Sequence, residues 1–305
     1  MWLRGCVSAL SLLLFGAAQA AAEPGPPSPA LAGGLTGEFF PPPTGKGLLV
    51  LYLGGSEGGV PRGSARDLSN QGFGVLALGY FKAPGLSATL ESVPLEYFDK
   101  AIDWLAAQPS NAHRRIAIVG VSKGAEAALL VAARNSQVCA VVTGAPSSVA
   151  WQGFNPQNPM SSGPSWTVGG HAVPYAPYDV SAPFTSLRDL YARSLAKAAP
   201  AAQLPIERIK GPVLLVSGRE DAVWPSTQMA DALVSRAERL GKKDVKHLAF
   251  DQAGHAAFGK PAPSVAVIPP ALVAQSGGTA EGNQQARLKS WSATTAFLSK
   301  AQDDC

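Results

Sequence analysis

Residues 115–134 read RIAIVGVSKGAEAALLVAAR, and the two halves of this stretch obey different rules. Ile116 to Val119 is short, apolar and rich in β-branched residues. From Lys123 onward the chain is rich in Ala and Leu, with no Pro and with Gly124 near its start. That change predicts a buried strand running into a helix. At the junction, Gly120-Val121-Ser122-Lys123-Gly124 matches G-x-S-x-G. A strand that turns sharply into a helix presses the turn against its neighbours, so a side chain at Gly120 or Gly124 would clash. The turn lifts the Ser122 hydroxyl above the sheet, beside a helix N-terminus whose N–H groups and dipole favour negative charge. A Gly-rich helix cap without chemistry matches the same five letters. The strand–turn–helix context favours a nucleophile elbow.

Working outward, strands and helices alternate. Gly47–Leu53 (GLLVLYL) is the near-continuous apolar run of a strand covered on both faces. Glu38-Phe39-Phe40 predicts a short edge strand stopped by Pro41 to Pro43. Helices are predicted over 64–71 and 94–108, the latter with Leu95, Phe98, Ile102 and Leu105 at helical spacing. Strands are predicted over 73–78, 138–143, 212–217 and 244–250. Helices follow over 226–240 and 283–301, with a long loop over 259–282. This rhythm predicts an α/β fold, a mostly parallel central sheet with helices on both faces. We divide the chain into a leader over 1–20, a lead-in over 21–46 and one α/β domain over 47–305. Residues 151–203 break the rhythm with many Pro and Gly, the aromatics Trp151, Trp166, Tyr175, Tyr178 and Tyr191, and one helix over 186–197. They read as a cap insertion over the strand ends. Its aromatics either line an acyl or aromatic pocket or pack the cap itself.

Ser122 is a weak nucleophile without a base. In parallel sheets ligands bind outside the carboxyl ends of the strands, and this rule sorts the four histidines. His113 precedes the elbow strand at the wrong edge, His171 is in the cap, and His247 is inside a strand. His255 alone sits on a loop directly after a strand, so it is the predicted general base. The orienting acid belongs after the preceding strand, where Asp221 is preferred over its neighbour Glu220. Asp251 is read as stabilising its own turn. Gly54-Gly55-Ser56-Glu57-Gly58-Gly59 follows the strand Gly47–Leu53, and no Gly-Lys-Ser/Thr follows to make it a phosphate loop. In a hydrolase this position supplies an oxyanion donor. The backbone N–H of Ser56 is favoured, with Gly55 next, and the N–H of Lys123 is the other donor. The Lys123 side chain reads as a solvated helix-start residue. Glu126 reads as buried near the site, without a role.

The chain has 305 residues, 46% apolar and 15% charged, with a net charge of +4 and no Lys/Arg-rich block, so it carries no nucleic-acid footprint. No Cys/His spacing suggests a metal site, and acyl transfer through a serine needs no cofactor. Arg4, the apolar run 7–15 and Ala18-Gln19-Ala20 read as a secretory leader with cleavage before Ala21, the run being too short to span a membrane comfortably; an uncleaved anchor is the alternative. We therefore expect export to the periplasm or medium, with no stable membrane span afterwards. Of the three cysteines, Cys6 falls in the leader. Cys139 and Cys305 either pair, pinning the C-terminus, or stay as a buried and a terminal thiol.

Beyond the elbow, Leu51-Tyr52-Leu53-Gly54-Gly55-Ser56-Glu57-Gly58, Pro94-Leu95-Glu96-Tyr97-Phe98, residues 211–218 (GPVLLVSG) and Ala253-Gly254-His255 complete a pattern. Together with Gly120 to Glu126 it resembles the C-terminal catalytic domain of acyl-CoA thioester hydrolases and bile-acid-CoA:amino-acid N-acyltransferases, over roughly residues 49–258. The resemblance implies an α/β-hydrolase fold, a nucleophile at Ser122, an acid at Asp221, a base at His255 and a small acyl thioester or ester as substrate. That family uses Cys in its transferases and typically Ser in its hydrolases, so Ser122 implies hydrolysis. Animal members carry an N-terminal β-sandwich, which is not visible ahead of Gly47. An exported enzyme would meet esters other than acyl-CoA. Two alternatives remain: transfer of the acyl group to an amine or alcohol, and a non-catalytic binding module, which would have no need of Ser, Asp and His together.

Overall fold

The computed structural model describes residues 31–45, 47–155, 158 and 163–304. The leader, the lead-in up to residue 30, Cys6 and Cys305 lie outside them. A seven-stranded sheet has the order β1-β3-β2-β5-β6-β9-β10. Its strands are β1 (Thr36–Phe40), β2 (Gly47–Leu53), β3 (Gly74–Gly79), β5 (Asn111–Val121), β6 (Val138–Gly144), β9 (Val213–Gly218) and β10 (Val245–Phe250). All neighbours pair parallel except the edge strand β1, which runs antiparallel to β3. As the sequence pattern requires, β2, β3, β6 and β9 are buried along their whole length.

Period-2 alternation divides the core between the two faces. In β2, Leu49, Leu51 and Leu53 join one apolar cluster while Leu48, Val50 and Tyr52 join the other. The first face is covered by α2 (Leu95–Ala106), α3 (Lys123–Ala132) and α5 (Ser226–Arg239). The second is covered by α1 (Arg62–Ser69) and α7 (Ala280–Asp304), through Ala65, Leu68, Leu298 and Ala301. Every residue of α3 is buried, which fixes the helix behind Ser122. Each fully buried Leu or Val contributes roughly 1.5–3 kcal/mol of transfer free energy, so this anchoring is strong. Cys139 lies on the second face near Leu298 and Ala301 and is disulfide-bonded, not a free thiol; its partner lies outside the described residues.

The segment between β6 and β9 holds the predicted helix as α4 (Leu187–Ala196). It also forms something the sequence did not announce. β7 (Trp166–Val168) and β8 (His171–Ala172) make a small sheet with β4 (Val93–Pro94), at the start of α2. Two- and three-residue strands are too short to show a period. The stretch expected as a long loop contains a helix, α6 (Pro270–Ser276). Among the described residues, no helix is long and apolar enough to cross a membrane.

Candidate active site

Ser122 directly follows β5, with φ 54° and ψ −117°, the strained conformation of an elbow. Such a residue costs on the order of 1–3 kcal/mol and persists only when its surroundings impose it. Here the backbone does the imposing. A Cβ on Gly120 would lie 2.2 Å from the Gly124 carbonyl oxygen, and one on Gly124 would lie 2.3 Å from that of Gly54. The Ser122 N–H donates to Gly144 O at 2.9 Å, and its carbonyl accepts from Ala125 and Glu126 in the first turn of α3.

The structure brings the three predicted side chains together. Ser122 Oγ lies 3.0 Å from His255 Nε2, and His255 Nδ1 lies 2.9 Å from Asp221 Oδ2. Asp221 is fully buried and accepts three further hydrogen bonds: Val223 N–H at 2.9 Å and Trp224 N–H at 3.2 Å on Oδ1, and Ser226 Oγ at 2.6 Å on Oδ2. A buried carboxylate so placed is compensated, and it holds the imidazole with Nδ1–H toward it and Nε2 toward Ser122. Glu220 is exposed, as expected of the rejected candidate. Asp251 is also exposed and pairs with Arg219 at 2.9 Å, not with its own turn. His171 lies in β8, and His113 falls at the start of β5, the end away from Ser122.

Several supports were not visible in the sequence. The Ser276 carbonyl at the end of α6 accepts both Ala222 N–H and His255 N–H, joining the acid and base loops. Arg188 of α4 donates to the carbonyls of Asp221 and Trp224. The Trp224 ring meets the His255 ring edge-on at 5.5 Å and leads through Tyr191 to Trp151. Trp151, Trp166 and Trp224 are all buried, so these aromatics pack. Ser226 reads in sequence as a helix start, which it is, but its hydroxyl serves Asp221.

Of the predicted oxyanion residues, Gly55 lies against the nucleophile: a Cβ there would be 3.2 Å from Ser122 Cβ. Its N–H donates to Glu57 Oε1 at 2.8 Å. Ser56 is half-buried beside it. Tyr80 steadies this loop, its hydroxyl donating to Gly54 O at 2.7 Å. The Lys123 side chain corrects the expectation of a solvated residue. It is buried and paired with buried Glu126 at 2.7 Å. Burial pushes the Lys123 ammonium down and the Glu126 carboxyl up, and each partner opposes the other's shift. Two surface grooves of about 350 and 310 Å³, which share Gln203 and Arg236, are lined by none of Ser122, Asp221 and His255. Among the described residues no cluster of ligating side chains could hold a metal ion.

A parallel sheet with these three residues at the carboxyl ends of β5, β9 and β10 defines the α/β-hydrolase class. A Mycobacterium tuberculosis puromycin-hydrolysing peptidase shares the fold, with a TM-score of 0.56 at 17% identity over 88% of this chain and 37% of that one. The family described as BAAT / acyl-CoA thioester hydrolase C terminal matches residues 93–304, and the chain belongs to it. Mouse acyl-coenzyme A thioesterase 6 is 27% identical over 86% of this chain and 62% of its own length. Mouse acyl-coenzyme A amino acid N-acyltransferase 1 is 29% identical over 73% of this chain and 52% of its own length. The chain thus spans less than two thirds of the curated relatives it matches.

Proposed function

We propose that this protein is a serine hydrolase that cleaves acyl thioesters or carboxylic esters through an acyl-enzyme. The observation that carries the reading is the hydrogen-bonded chain Ser122–His255–Asp221, set at an elbow in a member of a thioester hydrolase family. His255 Nε2 takes the hydroxyl proton as Ser122 Oγ bonds to the acyl carbonyl carbon. The imidazolium is stabilised by Asp221 and gives that proton to the departing thiolate or alkoxide. A water, deprotonated in turn by His255, then attacks the acyl carbon; the bond to Ser122 Oγ breaks, His255 returns the proton to Oγ, and the carboxylic acid leaves.

The carbonyl oxygen becomes an anion in each step. The Lys123 N–H opens α3, where the first amides have no partner within the helix. The second donor comes from the Gly55–Ser56 turn. Glu57 is exposed, so it can yield the Gly55 N–H to a substrate oxygen by swinging into water. One such donor is worth roughly 3–4 kcal/mol. The contacts of Trp151, Ser165 and Trp166 with Lys123 and Glu126 support the reading of residues 151–203 as a cap over the site.

Turnover of acyl-CoA and of short- and long-chain esters, with Ser122→Ala as control, tests the reading. Ester cleavage that survives in Ser122→Ala would remove Ser122 from the mechanism. Likeness to an amino acid N-acyltransferase keeps transfer to an amine as the second reading, to be separated by product analysis with amine acceptors. The leader over 1–20 supports export, for which secreted material beginning at Ala21 is the expected outcome.

A further inference from the structure

The geometry points to Glu126 and Trp166 as a positioning hub that holds both oxyanion-donating segments and couples them to the cap. This inference rests on the hydrolase reading above. Glu126 is fully buried, and each of its oxygens is engaged. Oε2 takes Lys123 Nζ at 2.7 Å, while Oε1 takes the Trp151 N–H at 2.9 Å and Trp166 Nε1 at 2.5 Å. Lys123 Nζ also donates to Ser165 Oγ at 2.8 Å, whose hydroxyl donates onward to the Trp151 and Gln152 carbonyls. The residue that offers the first oxyanion N–H is therefore gripped at the far end of its own side chain by the cap.

The second segment reaches the same point from the other side. The Tyr80 ring packs on Trp166 at 5.8 Å, and its hydroxyl holds the Gly54 carbonyl at the peptide whose N–H belongs to Gly55. Lys123 Nζ lies 5.5 Å from the centre of the Trp166 ring, so both walls of the oxyanion site rest on one indole.

A buried ion pair is a poor choice if stability is all that is needed, because well-packed apolar residues usually serve as well or better. What the pair adds is direction. Fixed donors and acceptors give Lys123 one side-chain path and the cap one seat. The Glu126 backbone N–H bonds the Ser122 carbonyl, so the elbow, its first amide and the cap move as one body. A hub of this kind acts on the transition state, since an oxyanion forms only there.

The test compares Glu126→Gln, Ser165→Ala and Tyr80→Phe with the wild type. Readouts are kcat, KM and the affinity for an alkyl boronic acid, which binds Ser122 as a tetrahedral anion. Removing an oxyanion donor costs about 100- to 1000-fold in kcat, so misaiming one should cost about 10- to 100-fold. Glu126→Gln is expected to lose that in both kcat and boronate affinity, with KM within about twofold. Ser165→Ala and Tyr80→Phe should follow at roughly 3- to 10-fold. They keep the charge pair intact and carry the test if Glu126→Gln does not fold. Variants that melt earlier but keep wild-type kcat and boronate affinity would reduce the network to a structural one and overturn the inference. A wild-type chain that neither turns over esters nor binds the boronate would instead overturn the hydrolase reading, and this inference with it.

Discussion

Ser217, His247 and Asp231 form a hydrogen-bonded chain whose distances, 2.8 and 2.9 Å, nearly match the 3.0 and 2.9 Å of Ser122, His255 and Asp221. The residue types and their linkage are the same, yet the surroundings differ at the serine and at the acid. Ser217 lies in β9, fully buried, and its hydroxyl is shared with Thr227 Oγ1 at 2.8 Å. Ser122 stands at a positive-φ turn beside the unpaired amides of a helix start. Asp231 is 65% exposed, whereas Asp221 is fully buried under three further donors besides His255. A relay of matching distances is therefore not enough. A nucleophile also needs a hydroxyl without another claim on it, donors for the charge that develops and an acid that solvent cannot reorient.

Serine replacement gives the largest expected contrast. Ser122→Ala should lower kcat for a good ester by about 10⁴-fold or more. Ser217→Ala should leave kcat within about threefold, and a large loss there would break the comparison. A second contrast concerns the hydroxyls that attend the two relays. Ser226→Ala removes one donor from a buried carboxylate, a bond worth roughly 1.5–3 kcal/mol, so kcat should fall about 10- to 100-fold. Thr227→Val removes the hydroxyl attending Ser217 and should lower the melting temperature while kcat holds. The smallest effect is in pH dependence. Burial lowers the His247 imidazole below its ordinary value, against the opposing pull of Asp231. The folded chain thus prefers the neutral ring. That contribution is present above the unfolded value of about 6.5 and is lost as pH falls from there toward the folded value. His247→Gln should flatten the decline in melting temperature as pH falls below about 6.5, and an unaltered profile would show that other groups govern it.

Much of the site was legible because its chemistry is local. The elbow needs two glycines and a strand-to-helix change, all within residues 116–132. Asp221 and His255 follow from position, since each lies on the loop after a strand. Ser226 was legible only as a helix start, because nothing in a sequence says where a hydroxyl will point. Lys123 was misread for a related reason. The opening residue of a helix is normally solvated, and only Ser165 and Trp166, some forty positions on, close over Lys123 and its partner Glu126 and bury the pair. The small sheet of β4, β7 and β8 escaped because its strands are shorter than any readable period. α6 escaped because its start at Pro270 and its end before Gly277-Gly278 look like punctuation in a loop.

The sequence by itself determined the parallel α/β architecture, the elbow at Ser122 and the two strand-end loops that bear Asp221 and His255. Each of these is set by short-range sterics or by the alternation of buried faces. The tertiary structure alone decided which of two Ser–His–Asp relays has its hydroxyl shared with a further side chain, as Ser217 has with Thr227. It also decided that Gly55 lies against Ser122 and that Lys123 and Glu126 are buried against Ser165 and Trp166. Burial and hydrogen-bond competition depend on what arrives from distant parts of the chain, and no local pattern records that arrival.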